Sequence, residues 1–170
     1  MIKLNNVYNI VKSYYTQEGK YSKIRRLLMS KKVEYSLLFM WIVSLFATLG
    51  SLYFSEVMKY EPCTFCWYQR ILMYPLVLII GIAYIQRNAK IAATTLVFSI
   101  IGACTALYHY GMQKVPFLHD NAAACGRVPC TGEYMNWFGF VTIPFLSLVA
   151  FLLILGTSIY ILKASKKENN

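Results

Sequence analysis

Charged side chains are scarce in this chain of 170 residues: 14% are Asp, Glu, Lys or Arg, where a soluble domain carries about a quarter. Acids are scarcer still, 7 against 17 Lys and Arg. This poverty of charge, together with 58% apolar and 16% aromatic residues, excludes an ordinary soluble domain and points to a membrane. No Gly-rich dinucleotide fingerprint is present, which removes a nicotinamide or flavin site of that type, and no Cys-x-x-Cys-His haem attachment site. Residues 1–32 contain no apolar core leading to a small-residue cleavage site, so they do not read as a secretory signal. Leu4, Val7, Val11 and Tyr14 recur at helical spacing among Lys and Arg. The stretch therefore reads either as a basic amphipathic segment on a membrane surface or as a loosely ordered cytoplasmic tail. Met29 offers an alternative start.

What the chain does have is long apolar runs. The first, about 35–54, is uncharged; roughly 20 residues at about 1.5 Å each cover a hydrocarbon core of about 30 Å. Others follow at about 67–85, 91–110 and 138–162, with a polar loop at 55–66, a tight basic turn at 86–90, a long loop at 111–137 and a basic tail at 163–170. Pro75 and Pro144 fall near the starts of runs two and four, where a missing backbone donor is tolerated best. The expectation is an all-α membrane protein, a four-helix bundle spanning 33–162 behind a basic extension at 1–32.

The distribution of charge predicts its orientation. Thirteen Lys and Arg lie in the N-terminal stretch, the 86–90 turn and the C-terminal tail; only Lys59, Arg70, Lys114 and Arg127 lie on the other side. Basic segments stay in the cytoplasm, so both termini are expected inside and the 55–66 and 111–137 loops outside. The net charge of +10 thus reflects topology, and no nucleic-acid surface is expected.

Four of the five cysteines then lie outside: Cys63, Cys66, Cys125 and Cys130. Cys104 falls in the third run and reads as a small packing residue. Cys63 and Cys66 form a Cys-x-x-Cys pair in Glu61-Pro62-Cys63-Thr64-Phe65-Cys66-Trp67-Tyr68-Gln69-Arg70, where a polar loop enters an apolar run. Three uses compete. Two structural disulfides would brace the outer loops, although so short a Cys-x-x-Cys ring removes little unfolded-state entropy. Four thiolates, with His119 in reserve, would suit zinc, but an oxidising compartment competes with the metal. Thiol–disulfide exchange is the third. Cys66 lies at or just before the first turn of a helix, and Arg70 follows one turn later, a setting that favours the reactive thiolate. A continuous oxidase also needs an electron acceptor, and a lipid-soluble quinone is the one that needs no further motif.

The arrangement Pro62-Cys63-x-x-Cys66-x-x-x-Arg70 opening the second of four helices, with a second cysteine pair in the long outer loop, closely resembles the DsbB family of quinone-dependent thiol oxidases. Cys125-Gly126-Arg127-Val128-Pro129-Cys130 looks most like its BdbC branch. Tyr108-His109 with Gln113, and Trp137-x-Gly139 with Pro144, agree with it. The resemblance implies a membrane enzyme that reoxidises an extracytoplasmic thioredoxin-fold dithiol oxidase (DsbA- or BdbD-like) and passes electrons to a quinone of menaquinone or ubiquinone type. It implies Cys63, Cys66, Cys125 and Cys130 as the catalytic sulfurs, Arg70 and His109 beside the quinone, and no metal. It places the redox loops outside the plasma membrane, with lipid around the helices. Only four residues separate the second pair, which leaves the order of exchange open. A vitamin K epoxide reductase-like relay is the enzymatic alternative, but its quinone-facing pair lies in the C-terminal helix of its bundle. A disulfide-braced scaffold or metal-binding membrane subunit is the other.

Overall fold

Backbone N–H and C=O groups in hydrocarbon have no water to turn to, so a spanning segment must satisfy them internally. The chain does so with helices. The computed structural model describes residues 31–115, 130 and 140–168. The basic stretch 1–30, Cys125, His119, Trp137 and most of the 111–137 loop lie outside the described residues.

Helix α1 is Lys31–Leu52 and continues into a π-helical turn, Tyr53–Val57. Helix α2 is Thr64–Gln86, followed by a 3-10 turn, Ala89–Ile91. Helices α3, Ala92–Lys114, and α4, Ile143–Glu168, complete the set. All four are long and apolar enough to cross a membrane. They close into a ring in which α1 packs on α2 and α4, and α3 packs on α2 and α4. The fold is an all-α membrane bundle.

The seam is legible residue by residue. Val33, Leu37, Met40 and Ser44 of α1 are buried, as are Gln69, Met73, Leu76, Ile80 and Ala83 of α2. These alternate steps of three and four are the spacing of left-handed bundle packing. Phe46, Ile71, Leu78, Ile85 and Leu107 are exposed around the outside. So broad an apolar exterior suits lipid, and association there relies on close packing and small polar groups. Gly102 of α3 is one such close approach: a Cβ there would overlap the ring of Phe151, which is fully buried on α4. A Thr95–Ser158 hydrogen bond of 2.9 Å links the same two helices.

Some local details depart from the sequence reading. Helix α2 starts at Thr64, because the Cys63 carbonyl already accepts the Trp67 N–H at 3.1 Å. Pro75 therefore lies well inside α2, where the Ile71 carbonyl receives no N–H from it. Pro144 sits in the first turn of α4, as its missing donor favours. Cys104 is exposed on the outside of α3 and does not pack in the core, a correction that follows from its place on the lipid-facing side of the helix. Between α2 and α3, Arg87 adopts φ 50, closing the turn in the left-handed region usually left to glycine. Its guanidinium also meets Glu34 of α1 at 3.0 Å, an exposed pair worth under about 1 kcal/mol.

Candidate functional site

The opening of α2 brings the first cysteine pair together. Cys63 is its N-cap, with extended backbone at φ −70 and ψ 172, and Cys66 lies in the first turn. The two sulfurs are 3.1 Å apart, with the Cys63 S–H donating to Cys66. That hydrogen bond, reinforced by burial, pushes the Cys63 thiol up to about 12. Cys63 thus keeps its proton near neutral pH and shares it with the Cys66 sulfur.

Three further elements converge on the pair. His109, fully buried on α3, brings Nε2 to 3.5 Å from the Cys63 sulfur and 3.2 Å from the Cys130 backbone carbonyl. Cys130 is itself buried, and packs with Cys63 and Met112 against Phe65 and Cys66. Gln69 offers its amide nitrogen to His109 Nδ1 at 3.0 Å, and its amide oxygen accepts the Ser147 hydroxyl from α4. The Phe65 ring lies over this group, 5.4 Å from Tyr108 and 5.7 Å from His109 between ring centres.

Arg70 faces elsewhere. Its Nε–H donates to Ser51 Oγ at 2.9 Å and one terminal nitrogen donates to the Ser51 carbonyl at 3.0 Å. Ser51 precedes the π turn of α1, where hydrogen-bond spacing shifts from i→i+4 towards i→i+5; such junctions recur at functional sites. The Arg70 guanidinium also lies 5.6 Å from the centre of the Trp67 ring. Beside it, α1, α2 and α4 enclose a cavity of about 430 Å³. Cys66, Gln69, Arg70, Ser51, Tyr74 and Ser147, with Tyr60 and Glu61 from the loop before α2, give that cavity its polar groups, and the remaining wall is mostly apolar. Phe46, Leu146 and Leu153 line it and are also exposed on the bundle surface, so it opens sideways towards lipid.

Of the six residues singled out from sequence, Cys63, Cys66, His109 and Cys130 meet at one end of the bundle. Arg70 shares the cavity with Cys66, and Cys125 is outside the described residues. His109 lies on the Cys130 side of the pair and is not among the cavity residues. Among the described residues, Cys63, Cys66 and His109 also bring ligand atoms within 4.8 Å of one another. This is a different trio from the zinc set weighed above, and both imidazole nitrogens already have protein partners.

The family profile described as disulfide bond formation protein DsbB matches residues 34–161. The chain belongs to that family. Its relatives include a probable disulfide formation protein C of Halalkalibacterium halodurans, 62% identical over 135 residues, which covers 79% of this chain and 98% of the relative. The disulfide bond formation protein C of Bacillus subtilis is 53% identical over 128 residues, 75% of this chain and 92% of the relative. No solved structure matches. As a DsbB-family protein with four spanning helices, the chain is a multi-pass membrane thiol–disulfide oxidoreductase acting in disulfide formation.

Gln69, Ser147 and Ser51 are the site residues that the sequence reading left without a role. One signal was available for Gln69. A primary amide inside an apolar spanning run costs free energy unless both its ends are paired, so it asks for partners. Nothing in the one-dimensional pattern says that those partners are His109, 40 positions away, and Ser147, 78 positions away.

Proposed function

We propose that this protein is a quinone-dependent thiol oxidase of the plasma membrane, which reoxidises an extracytoplasmic thioredoxin-fold dithiol partner and so sustains disulfide formation in secreted proteins. The observation that carries the reading is the cavity of about 430 Å³ with Cys66 and Arg70 in one wall. Its size is in the range of small-molecule sites. Its apolar flank suits an isoprenoid tail, and its polar end suits a ring carrying two carbonyl acceptors. Arg70 supplies N–H donors there, and Tyr74 and Ser51 are at hand. A bound quinone of menaquinone or ubiquinone type supplies an acceptor for two electrons and two protons, ending as the quinol.

The protein's own residues do the rest. A partner dithiol attacks the Cys125–Cys130 disulfide and leaves as a disulfide, so its two electrons now reside on Cys125 and Cys130. The Cys130 thiolate attacks Cys63 in the closed Cys63–Cys66 bond. The Cys63–Cys130 bond forms, the Cys63–Cys66 bond breaks, and the electron pair departs on Cys66 at the cavity wall. Cys125 then attacks Cys130, so the Cys125–Cys130 bond reforms as the Cys63–Cys130 bond breaks, and withdrawal of two electrons and two protons from Cys63 and Cys66 closes the original Cys63–Cys66 disulfide. Arg70 offsets negative charge on Cys66, and its tie to Ser51 holds it in place. The basic 86–90 turn lies at the opposite end of the bundle from the cysteines, which suits a cytoplasmic turn and redox loops outside.

The test uses purified protein in detergent, a reduced thioredoxin-fold protein and oxidised quinone, followed by quinone absorbance. Quinone loss that depends on the partner is expected; partner-independent or absent loss, or stoichiometric zinc in the reduced protein, overturns the reading. Arg70→Met should raise KM for quinone about tenfold, the scale of one charge-assisted hydrogen bond. Ser51→Ala keeps the charge and loses only its tether, so its effect should be smaller.

A further inference from the structure

The buried polar group behind the cysteine pair has a direction. Gln69 is only 6% exposed, on a helix that spans the apolar layer. Its amide joins three helices: the oxygen takes the Ser147 hydroxyl of α4, and the nitrogen meets Nδ1 of His109 on α3. On the far side of the ring, Nε2 lies 3.2 Å from the Cys130 carbonyl oxygen.

A carbonyl oxygen only accepts, so Nε2 must carry hydrogen. In a neutral imidazole Nδ1 is then an acceptor, which requires the –NH₂ end of Gln69 to face it. In this orientation the other end of the amide accepts from the Ser147 hydroxyl, which has the Pro144 carbonyl at 3.2 Å as a second acceptor. Two contacts on opposite sides of the ring therefore select one tautomer. The same N–H faces the Cys63 sulfur at 3.5 Å, while the Cys63 proton points at Cys66, 3.1 Å away. From Ser147 through Gln69, His109 and Cys63 to Cys66, every donor points the same way. Aligned hydrogen bonds of this kind polarise one another towards the terminal acceptor, here the sulfur at the cavity wall.

We propose that Gln69, oriented by Ser147, is a positioning residue that keeps the His109 ring proton on Nε2, and that this N–H holds Cys130 by its backbone carbonyl beside Cys63. The inference rests on the oxidase reading and deepens it, giving His109 a place in sulfur exchange on the side of the pair away from the cavity. Met at position 69 keeps the length of the side chain but has no donor for Nδ1. Glu at position 69 offers only acceptors when ionised, and so draws the ring proton to Nδ1.

The experiment has a spectroscopic arm and a chemical one. The chain has two histidines, so His119→Gln leaves a single imidazole in ¹⁵N-histidine-labelled protein in detergent. Nitrogen correlation spectra should show the Nε2–H tautomer in this background, a mixture in Gln69→Met, and Nδ1 protonation in Gln69→Glu. In a Cys66→Ser, Cys125→Ser background, closure of the Cys63–Cys130 bond by a mild oxidant should slow about five- to tenfold with Gln69→Met, the worth of one neutral hydrogen bond. Ser147→Ala, which perturbs the fold least, should mix the tautomers in the same sense and carries the test if the Gln69 variants do not fold. A ring proton that stays on Nε2 in every folded variant, or closure at an unchanged rate, overturns the proposal. Partner-dependent quinone reduction by unmutated protein is measured alongside: its failure would remove the oxidase reading, whereas the tautomer result reports on the Gln69 clamp alone.

Discussion

Cys66→Ser should cut partner-dependent quinone reduction by on the order of a thousandfold or more, while leaving the melting of the detergent-solubilised protein almost unchanged. The size of the expected loss comes from chemistry. Only a thiolate can leave from a disulfide and then give up an electron pair, and a hydroxyl at this position does neither. The small structural effect comes from geometry: Cys66 sits in the first turn of α2 with its sulfur on Cys63 and the cavity, so serine removes one contact with Cys63 and little packing. Spectrophotometric quinone reduction and a thermal melt on the same preparation check both halves. A scaffold braced by disulfides would show the reverse pattern, with intact function and a lowered melting temperature. Retention of full activity by Cys66→Ser would remove this sulfur from the mechanism.

Gly102→Val should destabilise the bundle by about 3 kcal/mol, the upper end of ordinary overpacking. A Cβ at this position already overlaps the ring of Phe151, and the two further methyl groups of valine add to the overlap. Phe151 has no exposed surface into which to swing, so α3 and α4 must separate. His109 is seven residues further along α3, about 10 Å at the helical rise. Separation would therefore also pull the ring away from the Gln69 that α4 holds through Ser147. Both a lower melting temperature and slower turnover are expected. Phe151→Leu opens space opposite the glycine, so the double variant should be more stable than the sum of the two single changes predicts, the mark of residues in contact. Strict additivity in the melts would show that the two do not oppose each other.

The bundle was legible in the chain because hydrocarbon is an undiscriminating solvent. Four apolar runs of sufficient length have no option there except helices. The ends were less legible. Helix α2 extends back to Thr64 because the Cys63 carbonyl begins its hydrogen-bond ladder, a choice that rests on one backbone contact and not on apolar content. Cys104 was misread because a cysteine is equally at home in a core or against lipid, and the helical repeat alone did not say which side of α3 it takes.

At the site, the cysteine spacing and the arginine one turn later were readable, since both depend on positions close together along one helix. The rest depended on which helices adjoin. Ser51 meets Arg70 across 19 positions, His109 meets Cys63 across 46, and Ser147 meets Gln69 across 78. No periodicity encodes such meetings, because they follow from the ring order of the four helices and the rotation of each about its axis. Local composition settled that this is a membrane bundle with a cysteine pair at a helix opening. The packing of one helix on the next decided where the cavity opens, which carbonyl the imidazole meets and which side chain orients it, because contacts between distant segments are set by the shape of the whole interior.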